Sequence, residues 1–399
     1  MTGWSDNELS VIFAGGYFAL LGMMWILLVL GAGRWGKNHR IDQPTSKDVP
    51  PQDQQPLVSV CIPARNEEMN IGTCLKAVLR SDWHQLECIV VDDRSSDATQ
   101  DKAREAAQND TRFRLVAGSP PAAGWAGKPW ACARAAGEAT GEFLLFVDAD
   151  VQLHPMAIPA LIHTAEANKL DLLSAFGTWE LVGFWEKTVI PVVGWLIRGS
   201  IDLKQVNDPS RTPAFANGQL ILIRSSAYTI VDGHSIVARE LLEDVRLAEA
   251  FKRRGLKPGL RLAPWLFHVR LYRNLTEIIQ GYSKNLYEGM GRRPTLGLGA
   301  VLFIMVGTLL PWAILLMGPA LHWVLGWQIV PWSFIFYSFG IALLQLLFRF
   351  RIERADGRSG SWCWSHALGN IVLAWILLRS VLGVRSKWKG RTFVDGRAN

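Results

Sequence analysis

An α/β domain on a mixed, mainly parallel sheet, held between membrane-spanning helices at both ends of the chain, is the fold class that the sequence predicts. Three observations predict it. Between residues 57 and about 290, short apolar runs alternate with stretches of helical periodicity, the pattern of βαβ units. Those runs end in polar residues, carboxylates above all, as strands do where a ligand sits beyond their carboxyl ends. The apolar excess behind a mean hydropathy of +0.14 is gathered at the two ends, while 56–290 has ordinary globular composition.

The first apolar run, 11–30, has the roughly 20 residues that a helix needs to cross a bilayer. Asp6 and Glu8 precede it and Arg34, Lys37, His39 and Arg40 follow, the reverse of a cleaved signal. By the positive-inside rule the expectation is an anchor over 1–33 with the chain after it cytoplasmic, at the inner (plasma) membrane. A basic linker rich in proline and glutamine, 34–56, leads into the domain at 57–290.

Candidate spans recur at 296–316, 323–348 and 365–382 within 291–384, and a basic tail closes the chain at 385–399. Three further crossings put the tail outside, whereas Arg385, Lys387, Lys389 and Arg391 favour the cytoplasm. Asn370 and Arg379 make the last span the weakest, and that crossing stays open.

The net charge of +7 sits largely beside the hydrophobic runs, in RWGKNHR, RFRIER and RSKWKGR. There it suits anionic lipid headgroups, and no nucleic-acid partner is expected. The five cysteines form no CxxC pair, so neither a disulfide framework nor a zinc site is expected.

Within the domain, LVSVCI (57–62) reads as a strand, PARNEE as a loop, and Ile71, Leu75, Val78 and Leu79 as one helix face. LECIVV (86–91), the loop DDRSSD and a helix to about 107 repeat the unit. FRLV (113–116), GWAGKPW, an alanine-rich helix and FLLFV (143–147) follow. The segment 184–199 is tryptophan-bearing and almost uncharged, which fits either core or membrane interface. Residues 215–228 read as a tight loop into a strand, and 240–255 as an amphipathic helix ending at glycine.

The chemistry lies at the strand ends. Asp148 and Asp150, two apart after a buried strand, offer the carboxylate oxygens that a hard divalent cation such as Mg²⁺ takes together with substrate phosphates; alone, a surface turn has the same letters. Asp92 and Asp93 suit a helix-starting turn or the acceptance of a base N–H. Lys128 suits a phosphate or plain solvation. Glu243 and Asp244 suit a charged helix face or a general base. GxSxG, HExxH and GxxxxGK[ST] are all missing, and the eight histidines do not cluster.

In their order and spacing, VSVCIPARNEE, IVVDDRSSDAT, GKPWA, FVDAD, NGQ, DGH and ED resemble the pattern of glycosyltransferase family 2, whose fold is GT-A. WEKTVIPVV, VNDPSRTPAFANGQ, LLEDVRLA, GYSKNLYEG and WKGRTF narrow the resemblance to membrane enzymes of the hopene-associated or carotenoid type. The resemblance implies an inverting transfer from a nucleotide-sugar, a UDP-sugar by expectation, with Mg²⁺ or Mn²⁺. It implies donor contacts at Pro63, Arg65, Glu67, Asp92, Asp93, Lys128 and Asp148, metal at Asp150 and Asp148, and a base at Asp244 with Glu243 beside it.

The acceptor and donor loop would hold Asn217, Gly218, Gln219, His234, Gln280 and Lys284, although His234 reads more readily as a structural histidine. The QxxRW of processive members is replaced by Gln280-Gly281-Tyr282-Ser283-Lys284, which points to transfer of one sugar. The expected partners are thus a nucleotide-sugar, a membrane lipid acceptor such as a hopanoid or carotenoid, and the bilayer. A polyprenyl-phosphate acceptor, or a non-catalytic membrane scaffold, are the rival expectations.

Overall fold

The computed structural model describes residues 6–32, 34, 36–45, 49–325, 331–382, 386–388, 391–394 and 397–398. Arg385 and Lys389 of the basic tail lie outside the described residues. The chain divides into two compact units. A sheet unit takes 38–181, 199–272 and 385–399; a helical unit takes 1–37, Val182–Arg198 and Arg273–Val384.

After α1 (Asp6–Gly31), the sheet unit begins with β1 (Val58–Ala64), α2 (Ile71–Leu79), β2 (Leu86–Asp92), α3 (Thr99–Ala107) and β3 (Phe113–Ala117). Next come α4 (Gly127–Glu138), β4 (Phe143–Val147), β5 (Val151–Leu153), α5 (Ala157–Ala167), β6 (Leu172–Phe176) and β7 (Thr178–Trp179). The chain leaves for the helical unit as α6 (Phe184–Gly199) and returns through α7 (Leu203–Asn207), β8 (Leu220–Arg224), α8 (Ser225–Ile230), α9 (Glu243–Arg253), β9 (Pro258–Leu262) and β10 (Phe267–Val269).

The main sheet has the order β3-β2-β1-β4-β8-β6-β9, and β5-β10-β7 form a small second sheet. β1 pairs in parallel with β2 and β4, whereas β8 runs antiparallel to both β4 and β6. β1, β2 and β4 are buried almost throughout because helices cover both faces, which is why they read as unbroken apolar runs. Alternation sorts them: Val60, Ile62 and Leu145 join α2, α3 and α5 on one face. Cys61, Leu144 and Phe146 meet α4 and α9 on the other.

Strand direction assembles one edge. The parallel strands β1, β2 and β4 all deliver their carboxyl ends there. Because β8 is antiparallel, with Val147 opposite Leu220, the loop that precedes it arrives at the same edge. β9 starts opposite the start of β6, at the far edge, so the helix that leads into it, α9, has its N-terminus on the near one.

The helical unit adds α10 (Leu275–Gly289), α11 (Pro294–Phe303), a π turn (Ile304–Leu309), α12 (Leu310–Leu325), α13 (Trp332–Ala355) and α14 (His366–Val381). Phe13–Gly31, Pro294–Val324 and Trp332–Ala355 are long and apolar enough to cross a membrane. α14 has 16 residues, short of the roughly 20 that a span requires. Phe18, Leu21, Trp25 and Val29 of α1 pack on Ile341, Phe348 and Ile352 of α13. The π turn frees carbonyls that ordinary helix would occupy: Gly307 O accepts from Trp25 Nε1 (3.1 Å) and Thr308 O from Gln345 Nε2 (3.2 Å). The segment 184–199, open in the sequence between core and interface, belongs to this unit as α6.

Candidate active site

Three carboxylates and one ammonium meet at the shared edge. Lys128, in the first turn of α4, places Nζ 2.7 Å from Asp148 Oδ1 at the end of β4 and 3.0 Å from Glu243 Oε1 at the start of α9. Asp244 follows Glu243. Its Oδ2 accepts from the Gly218 backbone N–H (2.7 Å) and its Oδ1 from that of Val245 (2.9 Å). The first turn of a helix favours negative charge, so α9 tolerates the adjacent acids.

Gly218 is there for space. A Cβ on it would lie 2.8 Å from Asp244 Oδ2 and 3.2 Å from Lys128 Nζ, so no other residue brings its amide this close. Its neighbours are structural. Asn217 Nδ2 donates to Ala175 O (2.9 Å) and Gln219 Oε1 (3.1 Å), and Gln219 O accepts from Asp148 N (3.1 Å). Ser174 Oγ accepts from Asn217 N (2.8 Å), fixing the loop to β6.

The electrostatics divide the two acids. Burial, then the charge on Glu243, pushes Asp244 up to about 7, against the pull of Lys128 and the two backbone donors. Burial works against the charge on Lys128, yet Asp148 and Glu243 outweigh it and hold the ammonium well above its ordinary value. Glu243 is the acid of the two that contacts the Lys128 ammonium. Asp244 is a carboxylate that exchanges its proton near neutrality.

At the end of β2, Asp92 Oδ2 accepts from Ser95 N (3.3 Å) and Gln100 Nε2 (2.7 Å), the turn-and-cap arrangement. Its Oδ1 is buried with no hydrogen-bond partner among the described residues. Asp93 lies beside two cations: Arg65 donates to its carbonyl (2.7 Å), and the Arg94 guanidinium lies 3.4 Å from its carboxylate. Gly118 N donates to Asp92 O (2.8 Å), and a Cβ on Gly118 would fall 2.2 Å from that oxygen. Pro63 lies in β1 opposite Val91. The carboxylate of Glu67 accepts from Asn70 (2.9 Å) at the start of α2.

His234 has the structural environment that its sequence context favoured. His234 is buried, its Nδ1 2.8 Å from the Tyr228 hydroxyl and its ring 4.8 Å from that of Phe146; burial, then Lys128, pushes it down to about 3. It is a packed, neutral core histidine with no surface to offer a ligand. Gln280 and Lys284 lie on α10, in the helical unit.

Asp150 follows Asp148 at the β4–β5 turn. Among the described residues no three His, Cys, Asp or Glu side chains gather as a metal cage. Two hard carboxylates without imidazole or thiolate suit Mg²⁺ or Mn²⁺, which complete their shell with phosphate and water. Lys128 then shares Asp148 with any such ion.

Several contributors escape the sequence. The Gly218 amide is backbone, Ser174 sits inside an apolar run, and Lys252 of α9 donates to the carbonyls of Gln205 (3.0 Å), Asp208 (2.9 Å), Arg211 (3.2 Å) and Pro213. The available signal was the glycine itself, between two amides ahead of a strand.

Comparison with known proteins agrees with the geometry. The family model described as Glycosyl transferase family 2 matches residues 59–231. The 4,4'-diaponeurosporenoate glycosyltransferase of Staphylococcus haemolyticus (strain JCSC1435) is 27% identical over 234 residues, 58% of this chain and 61% of that protein. The match thus leaves more than a third of the relative's length uncovered. The probable glycosyltransferase YdaM of Bacillus subtilis (strain 168) is 32% identical over 152 residues, 37% of this chain and 36% of that one. Among solved structures, the mannosyltransferase PcManGT from Pyrobaculum calidifontis, in complex with GDP-Man and Mn²⁺, has 18% identity and a TM-score of 0.46, over 83% of this chain and 96% of that one. Residues 59–231, which hold the strand-end carboxylates, Lys128 and the Asn217–Gln219 loop, are the part of the chain that is similar to glycosyl transferase family 2.

Proposed function

We propose that the chain is an inverting glycosyltransferase that moves a single sugar from a nucleotide-sugar, a UDP-sugar, to the hydroxyl of a membrane lipid. The observation that carries this reading is Asp244: a carboxylate gripped by the Gly218 amide, raised to about 7, beside a Lys128 that ties Asp148 to Glu243.

Asp244 takes the proton of the acceptor hydroxyl as its oxygen bonds to the anomeric carbon. The bond from that carbon to the diphosphate oxygen breaks on the opposite face, and its electron pair leaves with the nucleoside diphosphate. Asp150 and Asp148 would hold Mg²⁺ or Mn²⁺, which neutralises the charge gathering on that leaving group. Glu243 keeps Lys128 in place, and Asp93 with Arg65 offers the nucleotide a polar berth at the end of β2.

A lipid acceptor is supported by the helices of membrane length and by the relative named for 4,4'-diaponeurosporenoate. With α14 too short to cross, Pro294–Val324 and Trp332–Ala355 make two spans after the sheet unit. The basic tail then returns to the side of that unit. This supports a cytoplasmic catalytic unit by the positive-inside rule.

The test is transfer of labelled UDP-sugar in purified membranes by Asp244→Asn and Asp150→Asn, with and without a chelator. Both variants are expected to lose activity by about a hundredfold or more, the scale of a lost general base. Transfer at the wild-type rate by both would refute the mechanism. Retained transfer by Asp244→Asn alone would point to an already ionised phosphate acceptor.

A further inference from the structure

β9 is an edge strand of the main sheet, three places from β4 and its carboxylates. The chain that has left α1 passes along it. Arg40 bridges in parallel to Leu262, Ile41 N donates to Leu262 O (3.0 Å), and Trp265 Nε1 donates to Ile41 O (2.9 Å). These contacts cover part of a strand edge that would otherwise face solvent. They also set His39 and Arg40 beside Arg261, the residue before Leu262.

Arg261 is held in place by neutral groups. Its Nη1 donates to Asn207 Oδ1 (2.6 Å) and Leu260 O (3.2 Å), and its Nη2 to Asn168 Oδ1 (3.4 Å). Asn207 is itself fixed to β9, accepting from Leu260 N (2.8 Å) and donating to Leu260 O (3.1 Å). Amides and carbonyls orient a guanidinium without offsetting its charge. Lys204 lies on α7, the helix that Asn207 ends. His39 is close to both cations: burial first, then Arg261 and Lys204, hold its ring below its ordinary pKa.

Among the described residues, Arg40, Lys204 and Arg261 have no carboxylate within ion-pair distance. Asp202, two residues before Lys204, spends its carboxylate on the cap of α7, accepting from Lys204 N (2.9 Å), Gln205 N (3.2 Å) and Gln205 Nε2 (2.9 Å). Arg40 and Lys204 are exposed, and Arg261 and His39 are half-buried. An anion set among them removes their mutual repulsion. A guanidinium fork beside other cations matches the oxygens of a phosphate. Covalent connection selects which phosphate. Residues 32–38 alone separate His39 from the end of α1, a helix long and apolar enough to cross a membrane. Fully extended, that link reaches about 29 Å, which keeps the cluster near the point where the chain leaves the helix.

We propose that Arg261, with Arg40, Lys204 and His39 around it, binds the phosphate of an anionic membrane lipid and so docks the sheet unit on lipid headgroups. The inference is independent of the chemistry at Asp244, and its test runs without sugar donor or acceptor.

The test acetylates the full chain in nanodiscs of phosphatidylcholine, with and without phosphatidylglycerol, and follows single lysines by mass spectrometry. The reference is Lys102, exposed on α3 at the other end of the strand order. Relative to it, Lys204 is expected to react about fivefold more slowly in the anionic discs, the scale of one cation drawn to such a surface. Raised salt should remove the difference. Arg40→Gln with Arg261→Gln, which leaves Lys204 as the reporter, should return it to its rate in neutral discs, with a melt to confirm folding. Arg40→Glu, at an exposed position that makes no side-chain contact among the described residues, should also recover at least about half of the lost rate and keeps the test open if loss of Arg261 disturbs Asn207. Equal Lys204 rates in the two bilayers, or slowing that survives in the folded variants, would overturn the proposal. So would equal slowing on adding glycerol phosphate to neutral discs, the mark of a site for soluble phosphate.

Discussion

Gly218→Ala tests the reasoning at its narrowest point. The added methyl would lie 2.8 Å from Asp244 Oδ2, about 0.6 Å inside the 3.4 Å at which ordinary contact begins. The backbone of Gly218 is outside the left-handed region, so the effect is steric and not conformational. Lys128 Nζ, 3.2 Å from the same methyl, can swing aside, but the carboxylate is held by two backbone N–H groups. The loop must retreat, and the 2.7 Å bond from Gly218 N goes with it.

A hydrogen bond to a charged group contributes about 1.5–3 kcal/mol. Its loss, felt where Asp244 is positioned, should lower kcat/KM by about 10–150-fold. The pH dependence has a definite sign. Asp244 works deprotonated, so the rate falls as pH drops through about 7 in the native protein. Removing a donor to the charged form raises the proton affinity further, and the acid limb of the profile should move to higher pH. The assay is the pH–rate profile of labelled sugar transfer, with a thermal melt to confirm folding. A folded Gly218→Ala protein with kcat/KM within about twofold of native and an unmoved acid limb would refute the role given to this amide.

Lys128→Met should lower kcat by about a hundredfold, because the ammonium that pairs Asp148 with Glu243 is lost, and should also move the acid limb upward; an unmoved limb would break the link between Lys128 and Asp244. His234→Gln should leave the pH profile unchanged, since this histidine is neutral above pH about 3, while the lost contact with Tyr228 costs about 1 kcal/mol of stability in a melt. Lys252→Met should open the 205–213 segment to limited proteolysis and lower Tm by about 2–6 °C, because the four carbonyls that its ammonium gathers are released to solvent.

The strands β1, β2 and β4 are legible in the sequence because a strand covered on both faces must be apolar throughout. The direction of β8 is not legible. LILIR is the same apolar run either way, and its antiparallel pairing follows from where the preceding chain has travelled. Nor does α6 declare itself, since core and membrane interface ask for the same tryptophans and valines; its place follows from groups far away, such as Arg349 reaching its carbonyls.

At the site, side-chain type makes Asp148, Glu243 and Asp244 candidates, although a surface turn or a charged helix face uses the same acids. Lys128 is legible as a cation, but its partners are not, since 128, 148 and 243 are distant in the chain. His234 is a different case. Its polarity suggests a site residue, and only its packing against Phe146 and Tyr228 identifies a core one.

The interruption of the sheet unit by α6 bears on how the protein is made. β4 and β8 are neighbours in the sheet, yet the chain between them contributes 182–198 to the helical unit before it returns. The partners of α6 there, Arg349 on α13 and Gly369 on α14, are synthesised after every strand of the main sheet. A nascent chain that has just completed β9 therefore holds an apolar helix whose partners on α13 and α14 do not yet exist. A fragment cut after residue 272 would keep every strand of the main sheet but leave α6 without its partners on α13 and α14.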